Sequence, residues 1–118
     1  MEDATVENGC LWMYPGSHHE GGVHRLFKRN PNGDGTIFDK EPVEYDDDKF
    51  VPLECKAGDL VLIHGQMVHK SFPNKSDVSR NIYTFHMLEK EAHYSDWNWL
   101  KESADVPFVP LFDEQRAA

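Results

Sequence analysis

The apolar residues of this chain come in short blocks, and the longest block without proline, Cys10–Tyr14, is five residues. A block of that length cannot cross a bilayer, which needs about 20 apolar residues in a helix. It also cannot form the buried stripe of a long helix. Each block ends at a turn-forming cluster: Pro15-Gly16-Ser17 after Tyr14, Lys56-Ala57-Gly58-Asp59 before Leu60–His64, and Asn74-Lys75-Ser76-Asp77 before Arg80. Short apolar runs bounded by Gly, Pro, Asn and Asp are the signature of strands and turns. The expected class is all-β, a barrel or sandwich with one short C-terminal helix.

The predicted strands are Cys10–Tyr14, Phe50–Leu53, Leu60–His64, Met67–His69 and Arg80–Met87. The last is rich in β-branched and aromatic residues. With a period of two it puts Arg80, Ile82, Thr84 and His86 on one face, and Asn81, Tyr83, Phe85 and Met87 on the other. Ser95-Asp96 is predicted to cap a short helix carrying Trp97, Trp99 and Leu100. Val106–Phe112 is too rich in proline for helix or central strand and is expected to lie extended over a core. Residues 17–49 show no sustained period and read as a surface excursion. Its acidic run Glu44–Asp48 lacks the alternating carboxylates of a calcium loop and reads as solvated.

At 118 residues the chain is expected to be one domain. Twelve Lys and Arg against 21 Asp and Glu give a net charge of −9, which removes the electrostatic basis for nucleic acid or anionic membrane as a partner. The acidic start, Met1-Glu2-Asp3, has no basic or apolar leader character. The sequence therefore reads as intracellular and cytoplasmic, with Cys10 and Cys55 as free thiols and Asn74-Lys75-Ser76 a chance match to the glycosylation tripeptide.

Seven histidines invite a metal reading. Taken singly, His18, His19, His24 and His93 sit in polar or turn-rich stretches and read as surface residues. His64 and His69 are five apart, an odd spacing that puts them on opposite faces of a continuous strand and makes them poor co-ligands. His86 lies on the Arg80 face, where a hydrogen-bonded core histidine is the plain alternative. No zinc-finger spacing, phosphate-binding glycine loop or nucleophile elbow occurs.

The order of motifs is more specific than any one of them. Lys56-Ala57-Gly58-Asp59-Leu60-Val61-Leu62-Ile63-His64, then Val68-His69-Lys70-Ser71, then Asn74-Lys75-Ser76 and Arg80, resembles the distal half of the phytanoyl-CoA dioxygenase family. Upstream, Asn8-Gly9-Cys10-Leu11 and Pro15-Gly16-Ser17-His18 match that family's earlier block in the right order. Glu2-Asp3-Ala4-Thr5, Asn98-Trp99-Leu100 and Pro107-Phe108 carry the likeness to both ends. The resemblance implies a double-stranded β-helix (a cupin-like jelly roll) and an Fe(II)- and 2-oxoglutarate-dependent dioxygenase of the hydroxylase type. It implies that His69 is the distal metal ligand, that Arg80 receives the far carboxylate of 2-oxoglutarate, and that Ser71 joins Arg80 in that contact. Those residue types suit the roles. Iron is held by two His and a carboxylate on one octahedral face, and the planar arginine fork pairs a carboxylate twice. Asn8, Gly9 and Pro15-Gly16 read as turn chemistry.

The family's proximal His-x-Asp pair has no counterpart in these 118 residues. The expectation is that residues 1–118 are the distal half of one dioxygenase domain, truncated and inactive alone, acting on a small molecule whose identity the sequence does not give. Two alternatives stand beside it. One is a non-catalytic truncated isoform that acts as a binding or regulatory partner, pairing with a full-length chain. The other is a cupin-like binder of a small acid or sugar that uses His69, His86 and Arg80.

Overall fold

In the computed structural model, which describes residues 1–20 and 24–112, five three-residue strands follow in order: β1 Leu11–Met13, β2 Phe27–Arg29, β3 Thr36–Phe38, β4 Val51–Leu53 and β5 His69–Ser71. Single 3₁₀ turns span Ser17–His19 and Asp47–Lys49. Among the described residues there is no α-helix, so the class is all-β. No helix is long and apolar enough to cross a membrane. The chain forms two compact units, Met1–His24 with Pro42–Phe85, and Arg25–Glu41 with His86–Ala118.

In the first unit β1 is the centre of an antiparallel sheet of order β4-β1-β5. Leu11 stands between Leu53 and Ser71, Trp12 between Pro52 and Lys70, and Met13 between Val51 and His69. Two faces follow from this register. The Trp12 face carries the core. Cys10, Tyr14 and Phe50 are buried, Tyr14 packs edge-on against Tyr45 and tilted against Phe50, and Trp12 meets Phe72 edge-on at 5.4 Å. Lys70 lies over the Phe50 ring at 4.1 Å and pairs with Asp47. That pairing ties the acidic run to the sheet. The opposite face, with Leu11, Met13, Val51, Leu53, His69 and Ser71, lacks such a cover and is half-buried to exposed. β1 stops where Pro15 follows Tyr14 and Gly16 turns at φ 81°.

In the second unit β2 and β3 form a hairpin closed around residues 30–35, with Asn30 N–H donating to Gly35 O at 3.1 Å. Phe27 packs on Phe38 and Trp99. The arginine next to the turn, Arg29, donates its backbone N–H to Trp97 O and its guanidinium to Trp99 O.

Four expectations are corrected. The 17–49 excursion contains the β2–β3 hairpin, because Phe27-Lys28-Arg29 and Thr36-Ile37-Phe38 flank an Asn-Pro-Asn-Gly-Asp-Gly turn that brings two strand-forming triplets together. The Ser95-Asp96 helix is a single turn, in which Ser95 Oγ accepts from Trp97 N–H at 3.2 Å; the Trp97 and Trp99 carbonyls that would continue a helix are taken by Arg29. Leu60–Ile63 and residues 80–87 are not in any ladder. Leu60 and Leu62 are 74% and 73% exposed while Val61 and Ile63 are 38%, the alternation of a strand without its neighbour. Ile82, Thr84 and His86 are exposed, so the Arg80 face is not an interior here. Val106, Val109, Leu111 and Phe112 are also exposed and cover no core.

Candidate functional site

The site residues lie along the stretch from His69 to Arg80, which folds back around the Glu7-Asn8-Gly9 turn. β5 leaves the sheet at Ser71, and Phe72 O then comes so close to Gly9 that a Cβ there would sit 2.8 Å away. Gly9 has φ +88°, so both its conformation and its crowding exclude a side chain. Glu7 O accepts from Lys75 N–H at 3.0 Å. Asn74 and Ser76 then make the turn: Asn74 Oδ1 accepts from the Ser76 N–H and hydroxyl, and Asn74 Nδ2 donates to Val78 O at 2.7 Å. The Asn-Lys-Ser triplet is therefore a turn lock, a local side-chain-to-backbone device. The chain returns to Asn8, whose Nδ2 donates to Ser79 O at 3.4 Å.

His69 is exposed on the open face of the sheet. Its Nδ1 lies 2.9 Å from Met67 O. A carbonyl only accepts, so Nδ1 is the donor in this contact, which leaves Nε2 as the nitrogen that faces outward. This is the arrangement in which metal-bound histidines are oriented by a backbone carbonyl. Ser71 shares the His69 face two residues on, while Lys70 points to the other side. Arg80 is half-buried, and among the described residues it takes part in no ion pair. Arg25 and Arg29, by contrast, are committed to Phe38 and to Trp99 O. Burial raises the pKa of the Cys10 thiol, the Leu53 backbone offsets part of that rise, and the charge of Arg80 offsets it least.

Among the described residues no three His, Cys, Asp or Glu side chains converge as a metal-binding group. His69 offers an imidazole nitrogen, and no second and third His, Cys, Asp or Glu converge with it among the described residues. His64 is occupied locally: its Nδ1 accepts from Gln66 N–H at 3.2 Å. The rings of His18 and His19 stand 3.9 Å apart, with His64 5.1 Å from His18. Burial, then these two neighbours, lower the His18 pKa. A shallow depression of about 320 Å³ in the second unit, lined by Tyr94, Asp96, Lys101, Glu102 and Phe108 among others, includes neither His69, Ser71 nor Arg80.

Two participants were not legible from residue type. Met67 acts through its carbonyl. Glu2 acts across 77 residues of sequence: its Oε1 accepts from Ser79 Oγ at 2.8 Å. The sequence signals for Asn8 are its place before a glycine and in the Asn8-Gly9-Cys10-Leu11 block.

Residues 1–82 match the family model for phytanoyl-CoA dioxygenase. Phytanoyl-CoA dioxygenase domain-containing protein 1 of Bos taurus is 50% identical over 95% of this chain. The protein of the same name in Rattus norvegicus is 47% identical over 94%, and phytanoyl-CoA dioxygenase of Arabidopsis thaliana is 42% identical over 95%. In each case the match covers 38–39% of the relative, so the chain spans about two fifths of the length of the curated relatives it matches.

Proposed function

The chain belongs to the phytanoyl-CoA dioxygenase family, and from that premise we propose that it carries the cosubstrate-facing half of an Fe(II)- and 2-oxoglutarate-dependent dioxygenase built on a jelly roll. The single observation that carries this reading is the state of His69: Nδ1–H is spent on Met67 O, and Nε2 is left on an open face that also bears Ser71. His69 is one iron donor. Arg80, half-buried and without an ion pair among the described residues, receives the far carboxylate of 2-oxoglutarate, with the Ser71 hydroxyl beside it. Bound iron would supply the coupling of oxygen activation to oxidation of 2-oxoglutarate. The residues of this chain hold and orient. Met67 O fixes the His69 tautomer, and the Asn74–Ser76 lock sets the path from His69 to Arg80. The guanidinium stays charged as its surroundings dry. The substrate is a small molecule.

Among the described residues no further iron donors converge with His69, and on this reading they lie outside those residues. The test is co-expression with the part of the rat relative that this chain does not match, followed by assay of iron-dependent 2-oxoglutarate decarboxylation. The pair should turn over and the chain alone should not. His69→Ala should abolish turnover, and His64→Ala should leave it within about threefold. Arg80→Ala should raise the 2-oxoglutarate KM far more than it lowers kcat. Equal loss in the His64 and His69 variants, or an unchanged KM in Arg80→Ala, would overturn the assignment.

A further inference from the structure

Four hydrogen bonds converge on the two residues that flank Arg80. Glu2 Oε1 accepts from Ser79 Oγ at 2.8 Å and from Asn81 Nδ2 at 3.2 Å, and Glu2 Oε2 accepts from the Asn81 backbone N–H at 2.9 Å. Asn8 Nδ2 donates to Ser79 O at 3.4 Å. Asn8 is itself 3% exposed and held by Asp3 O at 2.8 Å and Thr5 N–H at 2.7 Å. The backbone is thus gripped immediately before and immediately after the arginine. The guanidinium is left alone.

That last point gives the arrangement its meaning. The Glu2 carboxylate reaches the residues before and after Arg80, not the guanidinium itself. Here the Glu2 carboxylate is spent on a hydroxyl, an amide and a backbone N–H, and Arg80 is in no ion pair among the described residues. The acid therefore fixes the position of Arg80 without neutralising it. An anion arriving at Arg80 meets an uncommitted guanidinium on a segment whose conformational entropy has already been surrendered on folding.

We propose that Glu2 and Asn8 are positioning residues for Arg80: they clamp Ser79 and Asn81 so that the guanidinium is presented, unpaired, to the dicarboxylate cosubstrate. The cosubstrate half of this statement rests on the assignment of Arg80 made above. The clamp itself does not.

The sign of one substitution separates positioning from mere proximity. Removing a negative charge near an anion site should tighten binding if Glu2 is only a neighbouring charge. It should weaken binding if Glu2 holds the arginine in place. The experiment is NMR titration of the chain with 2-oxoglutarate, following the Arg80 Nε–Hε signal, in the wild type and in Glu2→Ala, Glu2→Gln and Arg80→Lys. Glu2 is half-buried, so the amide spectrum of each Glu2 variant is compared with the wild type to check that the fold is kept; Asn8→Ala, at a buried site, is a supporting variant only. The expected result is a shifted Arg80 signal in the wild type, about tenfold weaker binding in Glu2→Ala, partial rescue in Glu2→Gln, and, in Arg80→Lys, where that signal is absent, loss of the 2-oxoglutarate-induced shifts of the Ser79 and Asn81 amides. Equal or tighter binding in Glu2→Ala, with Arg80 still responding, overturns the clamp and leaves the cosubstrate assignment standing. If Arg80 does not respond to 2-oxoglutarate in the wild type, the cosubstrate assignment fails. The clamp is then decided by Arg80 Nε relaxation and Asn81 amide exchange. Faster motion and exchange in Glu2→Ala sustain it, and unchanged values overturn it.

Discussion

Leu11–Met13 and Leu60–Ile63 are both short apolar segments next to turns, and Leu60–Ile63 has the more strand-prone composition of the two. Yet Leu11–Met13 is hydrogen-bonded on both sides, by Val51–Leu53 and by His69–Ser71. Leu60–Ile63 is in no ladder among the described residues, and its leucines are almost three-quarters exposed. The same contrast separates His69–Ser71, which is paired, from residues 80–87, which are in no ladder among the described residues and exposed beyond Arg80. What differs is the presence of a partner. A strand is stabilised by the ladder and by the face it buries, and propensity alone supplies neither. Among the described residues the paired region also contains every buried one: Asn8, Gly9, Cys10, Tyr14, Ser17 and Phe50. Stability in this unit should accordingly be concentrated around the Asn8–Gly9 turn and be almost absent from the bare segments.

The sharpest way to break that comparison is at Gly9. With φ +88° and Phe72 O 2.8 Å from the position of a Cβ, Gly9→Ala should cost about 3 kcal/mol, adding a clash to the left-handed penalty. Gly16→Ala, at φ +81° with nothing within 4 Å, should cost only about 1 kcal/mol. Urea unfolding of both variants reads the difference; equal costs would mean that the Phe72 approach does not matter. Next comes Asn8→Ala, which strands the Ser79 and Asp3 carbonyls and the Thr5 N–H. It should cost about 2 kcal/mol by the same assay, and a cost below that of Gly16→Ala would place the hub elsewhere.

A smaller effect is expected from acid. The Ser79 hydroxyl, then the Asn81 backbone N–H and side chain, hold Glu2 down from its ordinary 4.5 to about 2. A carboxylate depressed in the folded state binds protons more readily when unfolded. Its contribution is therefore complete above pH 4.5 and is lost as the pH falls toward 2. Glu2→Gln should flatten the pH dependence of unfolding in that window and leave it unchanged at neutral pH. The slope that remains belongs in part to Asp3, whose carboxylate is lowered by Lys56 and the Ala57 N–H. Smallest of all, Leu60→Ser and Leu62→Ser should each change stability by no more than about 0.5 kcal/mol, as for exposed positions generally. A loss above about 1.5 kcal/mol in either would show that this segment is buried in solution.

Residue types and their spacing determined the class, and the family resemblance they carry named the candidate site residues. The Pro, Gly and Asn clusters dictated strands and turns. The order Gly-Asp turn, His69, Ser71, Asn74-Lys75-Ser76, Arg80 was specific enough to carry the family, because each step is a local instruction that reads without knowledge of its neighbours. The 17–49 hairpin was legible in principle, from strand triplets on either side of a six-residue turn, but a triplet is too short to show a period. Only the tertiary structure decided which apolar blocks became strands, since a ladder needs a second chain segment and the sequence of one strand does not name its partner. It alone brought Glu2 and Asn8 to Ser79 and Asn81, at separations of 71 to 79 residues, and put the Met67 carbonyl on the His69 ring. Backbone carbonyls and long-range carboxylates leave no mark in local pattern. Their roles come from where the chain returns in space.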